Sequence, residues 1–428
     1  MLQAHSALRV LFRRNLGRAI FATAAWLLTG NAVWAADETF VSRDNVTLPG
    51  GQHITSFDIS FVDPVIGLYL LADRTNKTID VIETDTNTVF QLTATPPFAG
   101  ATPSNDNAGP DGVITVNHRE IWAGDGPSQV KVIDLFDGGK TTHVINTGGV
   151  NRADELCFDP RDQLVMMAND AESPFPFVTL ISTGTYTVLQ TIVMNGKVGP
   201  GGGLATPAAT NGIEQCQWDR RTGNFYVNIP EVNGPGNDTQ PGAVVVISPK
   251  AETLGKVLDV FSIPLGKCAG PQGMAIGPDH QILLGCNDPN KTVPSTVIID
   301  DRNGKVIETV ANQDGSDEVW YNEGNGQYFL ARSGGANPQK LGIIDVDSDP
   351  SPSDQDVAIG LPSTTATPHG TNHSVAADPL FNQIYVPIAG TSGATICSLS
   401  GGSDTQGCIA IFTSRGPDDP AIPLISKK

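Results

Sequence analysis

Residues 153–170 (ADELCFDPRDQLVMMAND) and 316–333 (SDEVWYNEGNGQYFLARS) follow one order: an Asp-Glu pair, a short apolar run, a tight turn and a second apolar run. Looser copies start at Asp58, Asp111, Glu214, Gln272 and His373, so the unit occurs seven times. A unit of two short strands and a turn has too little apolar surface to stand alone and must stack on its neighbours. A spacing of roughly 40 to 60 residues filled only with short strands is the pattern of a β-propeller, with one four-stranded blade per repeat. The expectation is an all-β, seven-bladed β-propeller.

The first blade reads as strands near FDISFV, GLYLLAD, TIDVIET and TVFQLT. Third strands of later blades stand out as residues 130–135, 177–182, 243–248, 296–301 and 341–346, apolar or alternating as sheet-packed strands require. The last repeat supplies only three strands, two in residues 373–388 and a third in residues 408–413. Residues 39–48 (TFVSRDNVTL) look extended and belong to no repeat. Added as the missing strand, they close the ring and leave no sheet edge bare. Closed repeat folds run long as one domain, so residues 36–428 are read as a single propeller.

Residues 1–35 read as an export signal. Arg9, Arg13, Arg14 and Arg18 precede an apolar stretch at residues 19–28, and Val33-Trp34-Ala35 is a small-residue cleavage site. That stretch is about half the roughly 20 residues of a spanning helix, so stable membrane insertion is not expected. The protein is therefore expected to be periplasmic or secreted. In that setting six cysteines read as disulfides. Cys397 with Cys408 would pin a polar loop, and Cys268 with Cys286 flank one strand pair. Cys157 and Cys216 hold the same place in consecutive repeats, and their pairing is left open.

The net charge of −19 becomes more negative once the four signal arginines are removed. Such a surface repels phosphate backbones and anionic lipid, which argues against nucleic-acid or membrane-surface partners. The sequence also lacks CxxCH, HExxH, GxSxG and GxxxxGK[ST] motifs, and the GPGGG run at residues 199–203 has no lysine or strand-to-helix setting. Covalent haem, zinc-protease, serine-hydrolase and P-loop chemistry are thereby set aside.

Turns on one face of the predicted ring are short (DPRDQ, DRRTGN, GPDHQ, NEGNG). On the other face they are long and rich in Gly, Pro and Thr: residues 95–110, 195–212, 230–242, 361–372 and 389–407. Long loops on a rigid scaffold are a usual seat of binding and catalysis. Every inner strand starts on that face, with Asp58, Asp111, Asp154, Glu214, Gln272, Asp317 and His373 around the channel. Five carboxylates so close raise one another's pKa unless a cation neutralises them. Oxygen-rich ligation with one histidine favours Ca²⁺, Mg²⁺ or Mn²⁺ over zinc. The plainer alternative is that each carboxylate only accepts loop N–H groups. Glu155 and Glu318, one residue further on, are expected to point away from their neighbours, toward loop backbone amides. His369 in PHGTNH lies four residues before His373.

Pro271-Gln272-Gly273-Met274, with the strands that follow it, resembles the repeat of YVTN-type propellers and the gluconolactonase/senescence-marker-protein superfamily. The resemblance extends over nearly all of the mature chain. It implies a divalent cation, usually Ca²⁺, at the channel mouth, with Asp111, Asp154, Glu214 and Asp317 as the ligands by position. The lactonase branch has six blades and an Asn ligand, where this chain has seven repeats and no Asn in the ring. On the resemblance, the expected function is a metal-dependent hydrolase of a lactone or related ester, in which the cation polarises the carbonyl and Asp317 or His373 activates water. Two readings stand beside it: a non-catalytic propeller that binds a small ligand or a protein on the long-loop face, and the propeller subunit of a periplasmic dehydrogenase.

Overall fold

The computed structural model describes residues 39–290, 292–334, 340–345, 354–358, 372–390, 395–398 and 405–415. The expected signal at residues 1–35, His369 and most of loops 361–372 and 389–407 lie outside them. The described residues form seven four-stranded antiparallel sheets, each in simple up-and-down order except the one that closes the ring. The inner strands are Ser60–Asp63, Val113–Val116, Leu156–Asp159, Cys216–Asp219, Pro271–Ile276, Ser316–Asn322 and Ala376–Asp378. In the closing sheet Thr39–Val46 lies outermost, paired with Cys408–Arg415, which pairs in turn with Gln383–Ile388. The strand left over at the start of the sequence is thus the missing strand of the last blade.

Sheets pack face to face through apolar side chains that alternate along their strands. Between the first two blades, Leu70, Val81 and Phe90 meet Ile121 and Ile133. Each such fully buried side chain contributes roughly 1.5–3 kcal/mol relative to exposure. Most short turns between first and second strands share one device. An Asp or Asn at the end of the inner strand accepts a backbone N–H two residues on: Asp63 from Val65 (3.0 Å), Asp159 from Arg161 (2.8 Å), Asp219 from Arg221 (3.0 Å) and Asn322 from Gly324 (3.1 Å). This side-chain turn mimics a backbone turn and fixes the hairpin at minimal length.

Blade-to-blade hydrogen bonds at the ring positions hold the inner strands together. The N–H following a ring residue donates to the ring carbonyl of the next blade, as in Gly112 to Asp154 (2.8 Å) and Glu318 to His373 (3.1 Å). Gly112 is obligatory there, because a Cβ would lie 2.0 Å from the Asp154 carbonyl oxygen. All three disulfides are formed, including the Cys157–Cys216 link between the third and fourth blades. Such bonds fit an oxidising compartment. Among the described residues no helix is long and apolar enough to cross a membrane.

Candidate functional site

The ring residues do gather at the long-loop mouth of the channel, but two arginines sit among them. Arg74, one residue beyond the second strand of the first blade, donates to Asp58, Asp111 and Asn105. Arg152, two residues ahead of Asp154, donates to Asp170 and pairs with Asp154 at 2.8 Å, with Asp58 at 3.9 Å. The mutual repulsion that the sequence posed is therefore relieved by guanidinium groups from the chain itself. His373 completes this half of the ring. Its Nε2 lies 3.1 Å from Asp58 and its ring stacks on Phe57 with centroids 4.8 Å apart.

The electrostatics follow from that arrangement. Burial alone would raise the Asp58 pKa, but Arg74, the His373 hydrogen bond and Arg152 hold it well below the usual carboxylate range. Burial pushes Asp111 and Asp154 well above theirs, neighbouring aspartates add to the rise, and the lowering charge of Arg74 and Arg152 offsets only part of it. For His373, burial opposes the charged form, yet the bond to Asp58 and the charges of Asp58 and Asp317 keep the imidazole pKa above its ordinary value.

Carboxylate oxygens of Asp58, Asp111 and Asp154 lie within 4.8 Å of one another, near enough for a single ion to touch all three. Oδ2 of the fully buried Asp111 has no hydrogen-bond partner. An ion bound by the whole triad must nevertheless displace arginine hydrogen bonds, since Arg74 already bridges Asp58 and Asp111. Glu214 and Asp317 lie across the mouth, half-buried and outside the triad. Burial raises both, Glu214 well above the normal range with help from Asp317. Gln272 accepts from Asn287 at 2.6 Å, as a loop anchor would.

The long loops of this face are themselves tied down. Glu231 accepts from the N–H groups of Gly236, Asn237, Thr239 and Gln240. Asp125 holds Ala99 N–H and the buried Lys131, whose ammonium also donates to the Pro97 carbonyl and lies over Phe98.

Below the arginine layer the channel widens into a cavity of about 610 Å³ that opens on the short-turn face. All seven inner strands line it, through Phe61, Ile114, Phe158, Trp218, Ile276, Trp320 and Ala377 among others. Phe61 and Trp320 meet edge to face at 5.6 Å. The volume lies in the range of small-molecule sites, and the wall is mainly apolar and aromatic. A second hollow of about 590 Å³ adjoins it on the rim of the fourth to sixth blades and shares Gln217, Trp218, Ile276, Tyr321 and Glu323.

Glu155 reaches the inner end of this cavity, and there the orientation differs from expectation. Glu155 faces the channel, not a loop amide, and it and Glu318 lie close enough to act on each other's protonation. Their blades are three apart in a ring of seven, so the two side chains meet across the channel. Two buried carboxyl groups so placed favour a state in which they share a proton. Burial pushes Glu155 up to about 7 and raises Glu318 well above its ordinary value, each with the other's help or restraint.

No protein-family model matches the sequence, and no curated protein is similar to it. Solved structures do match in shape. One is titled as the crystal structure of a mitotic checkpoint complex, with a TM-score of 0.56, 12% identity, and coverage of 90% of this chain and 96% of that one. Another is the WD40 β-propeller domain of Doa1, with a TM-score of 0.54, 12% identity, and coverage of 88% and 97%. At this identity the likeness is one of fold: a seven-bladed propeller.

The sequence pattern does not single out Arg74 and Arg152 because each stands just outside the repeated unit, Arg74 immediately after its second strand and Arg152 two residues before its ring residue. Their signal in the sequence is two basic residues flanking repeated units in an acidic chain. The cavity had a subtler one: an aromatic residue recurring near the end of the inner strand, at Phe158, Trp218 and Tyr321.

Proposed function

We propose that this protein is an exported, non-catalytic propeller that binds a small molecule in its central channel, entered from the short-turn face. The observation that carries this reading is the 610 Å³ cavity, walled by aromatic side chains from several blades and closed at its far end by buried polar residues. Rigid strands position those rings, so the site is preformed and little ordering opposes binding. The three disulfides support a periplasmic or secreted setting. The test is a titration of mature protein with small aromatic compounds, followed by tryptophan fluorescence. Binding that perturbs the signal and is lost in Trp320→Ala supports the channel; binding that survives Trp320→Ala and Phe158→Ala places the site elsewhere.

A second reading keeps the long-loop face as a metal-dependent lactonase or esterase, as the resemblance to gluconolactonase-type propellers implies. The clustered oxygens of Asp58, Asp111 and Asp154 favour it. Asp111 and Asp154 would hold a divalent cation such as Ca²⁺, with Glu214 and Asp317 as further ligands at the same mouth. A bound cation would supply Lewis acidity to a carbonyl oxygen, while Asp317 or His373 would take a proton from water. Metal analysis of purified protein, with a lactone and ester panel run with and without chelator, decides it. Absence of stoichiometric metal and of chelator-sensitive hydrolysis removes this reading.

A further inference from the structure

We infer that the channel ligand is a neutral molecule with an apolar body and a carbonyl-type oxygen, which accepts a hydrogen bond from Gln215 at the inner end of the cavity. This inference rests on the channel being the binding site. Gln215 directly precedes the inner strand Cys216–Asp219, is 5% exposed and lines the cavity. Its Oε1 accepts from the Met274 N–H of the fifth blade at 2.5 Å, where the register of Pro271–Ile276 slips. A backbone N–H needs an acceptor, so this contact fixes which end of the amide is oxygen and which is nitrogen. Nε2 bonds to no group among the described residues, yet it is not sealed inside the protein as the unpaired Asp111 oxygen is. The buried side chain thus holds an NH₂ donor that opens into the channel. Strand alternation places Gln217 on the same side, about 7 Å nearer the open end, where it also lines the cavity.

The wall around this donor narrows the ligand class. An NH₂ left unpaired when an apolar ligand expels water costs about 1–3 kcal/mol, so a ligand that brings an acceptor to it is favoured over one that does not. An amide nitrogen has no lone pair to offer, so a group that can only donate gains nothing at this point. No lysine or arginine lines the cavity among the described residues, and its carboxyl groups, Asp63, Glu155 and Glu323, supply no positive charge. His118, at the open end, is already engaged by Asp63 at 2.8 Å. A carboxylate drawn to the inner end would lose its hydration in an apolar chamber with no cation to receive it, and one amide donor does not offset that loss. The oxygen of a ketone or carboxamide gives up far less hydration and accepts the same bond. Phe61, Phe158 and Trp320 then take the apolar body of the ligand.

The experiment is calorimetry on the mature protein with two matched sets: acetophenone, ethylbenzene and benzoate, and 2-acetonaphthone, 2-ethylnaphthalene and 2-naphthoate. In at least one set the ketone should bind about tenfold or more tightly than the carboxylate at pH 7. Gln215→Met should lower the ratio of ketone to hydrocarbon affinity about fivefold or more, a comparison in which the different hydration of the two ligands cancels. Retained binding of the hydrocarbon reports that the variant is folded. A second readout needs no variant: the C=O stretch of the bound ketone should lie at lower wavenumber than in hexane. An unchanged ratio in Gln215→Met, or a C=O stretch at its hexane position, overturns the carbonyl inference and leaves the channel reading standing. Carboxylates that bind as tightly as the ketones overturn the neutral character of the ligand. Binding by none of the compounds overturns the channel reading as well.

Discussion

Replacing Glu155 by Gln changes stability in a way that depends on pH, and the sign follows from the shared proton. Burial raises the Glu155 pKa from 4.5 to about 7 in the folded protein. Each tenfold change in a proton equilibrium is worth ~1.4 kcal/mol, so the rise amounts to about 3 kcal/mol. A carboxyl whose folded pKa lies above its unfolded one adds stability in full below pH 4.5 and loses it as the pH climbs through about 7. Gln does not titrate and can still donate to Glu318. The variant should therefore match the wild type near pH 4.5 and exceed it by about 3 kcal/mol at pH 8. With an unfolding entropy of ~2.1 cal/mol/K per residue, a chain of this length gains on the order of 4 °C in Tm. Scanning calorimetry of both proteins from pH 4.5 to 8.5 reads the difference directly. A gap that stays flat with pH, or a variant that loses ground as pH rises, refutes the shared proton.

Other perturbations report on neighbouring parts of the structure. Arg74→Met strips Asp58 and Asp111 of their bridging cation and should cost about 3–5 kcal/mol in denaturant unfolding at pH 7. The cost should shrink once the pH falls below 3.8, because the depressed pKa of Asp58 stabilises only above that value. Removing the Cys157–Cys216 bridge, which closes a separation of 59 residues, should cost about 4 kcal/mol, against about 3 for the 18-residue Cys268–Cys286 bridge; reversed ordering in denaturant melts refutes the loop-entropy account. Gly112→Ala places a Cβ 2.0 Å from the Asp154 carbonyl, so it should yield little folded protein by near-UV dichroism.

The fold was legible because a propeller repeats its instructions. Each blade restates the polar start and the apolar strand, and most restate the side-chain-anchored turn, so chance variation in one copy is corrected by the others. The third strand Phe177–Ser182 coincides with the run FVTLIS, and the leftover segment at residues 39–48 announces the missing partner. The site is legible only in part, because its decisive residues do not repeat. Arg74 and Arg152 occur once each, and a pairing such as Glu155 with Glu318 depends on two blades three places apart. Periodicity places both glutamates one step beyond the ring, but only the closed geometry tells which way they face. The cavity shows the same limit, since Phe61, Phe158, Trp218 and Trp320 read singly as ordinary strand aromatics.

Ring closure by Thr39–Val46 sets a timetable for folding. Its partner Cys408–Arg415 comes from far along the chain, so a strand made early waits for one made late. Until then Gln383–Ile388 offers an open edge, and a chain paused at that stage is a template for pairing with a second copy. The pairing spans nearly the whole sequence, the kind of long-range contact that forms slowly. Locking the ring is thereby deferred until Cys408–Arg415 has been made, and amides of Thr39–Val46 should be the last to gain protection from exchange during refolding.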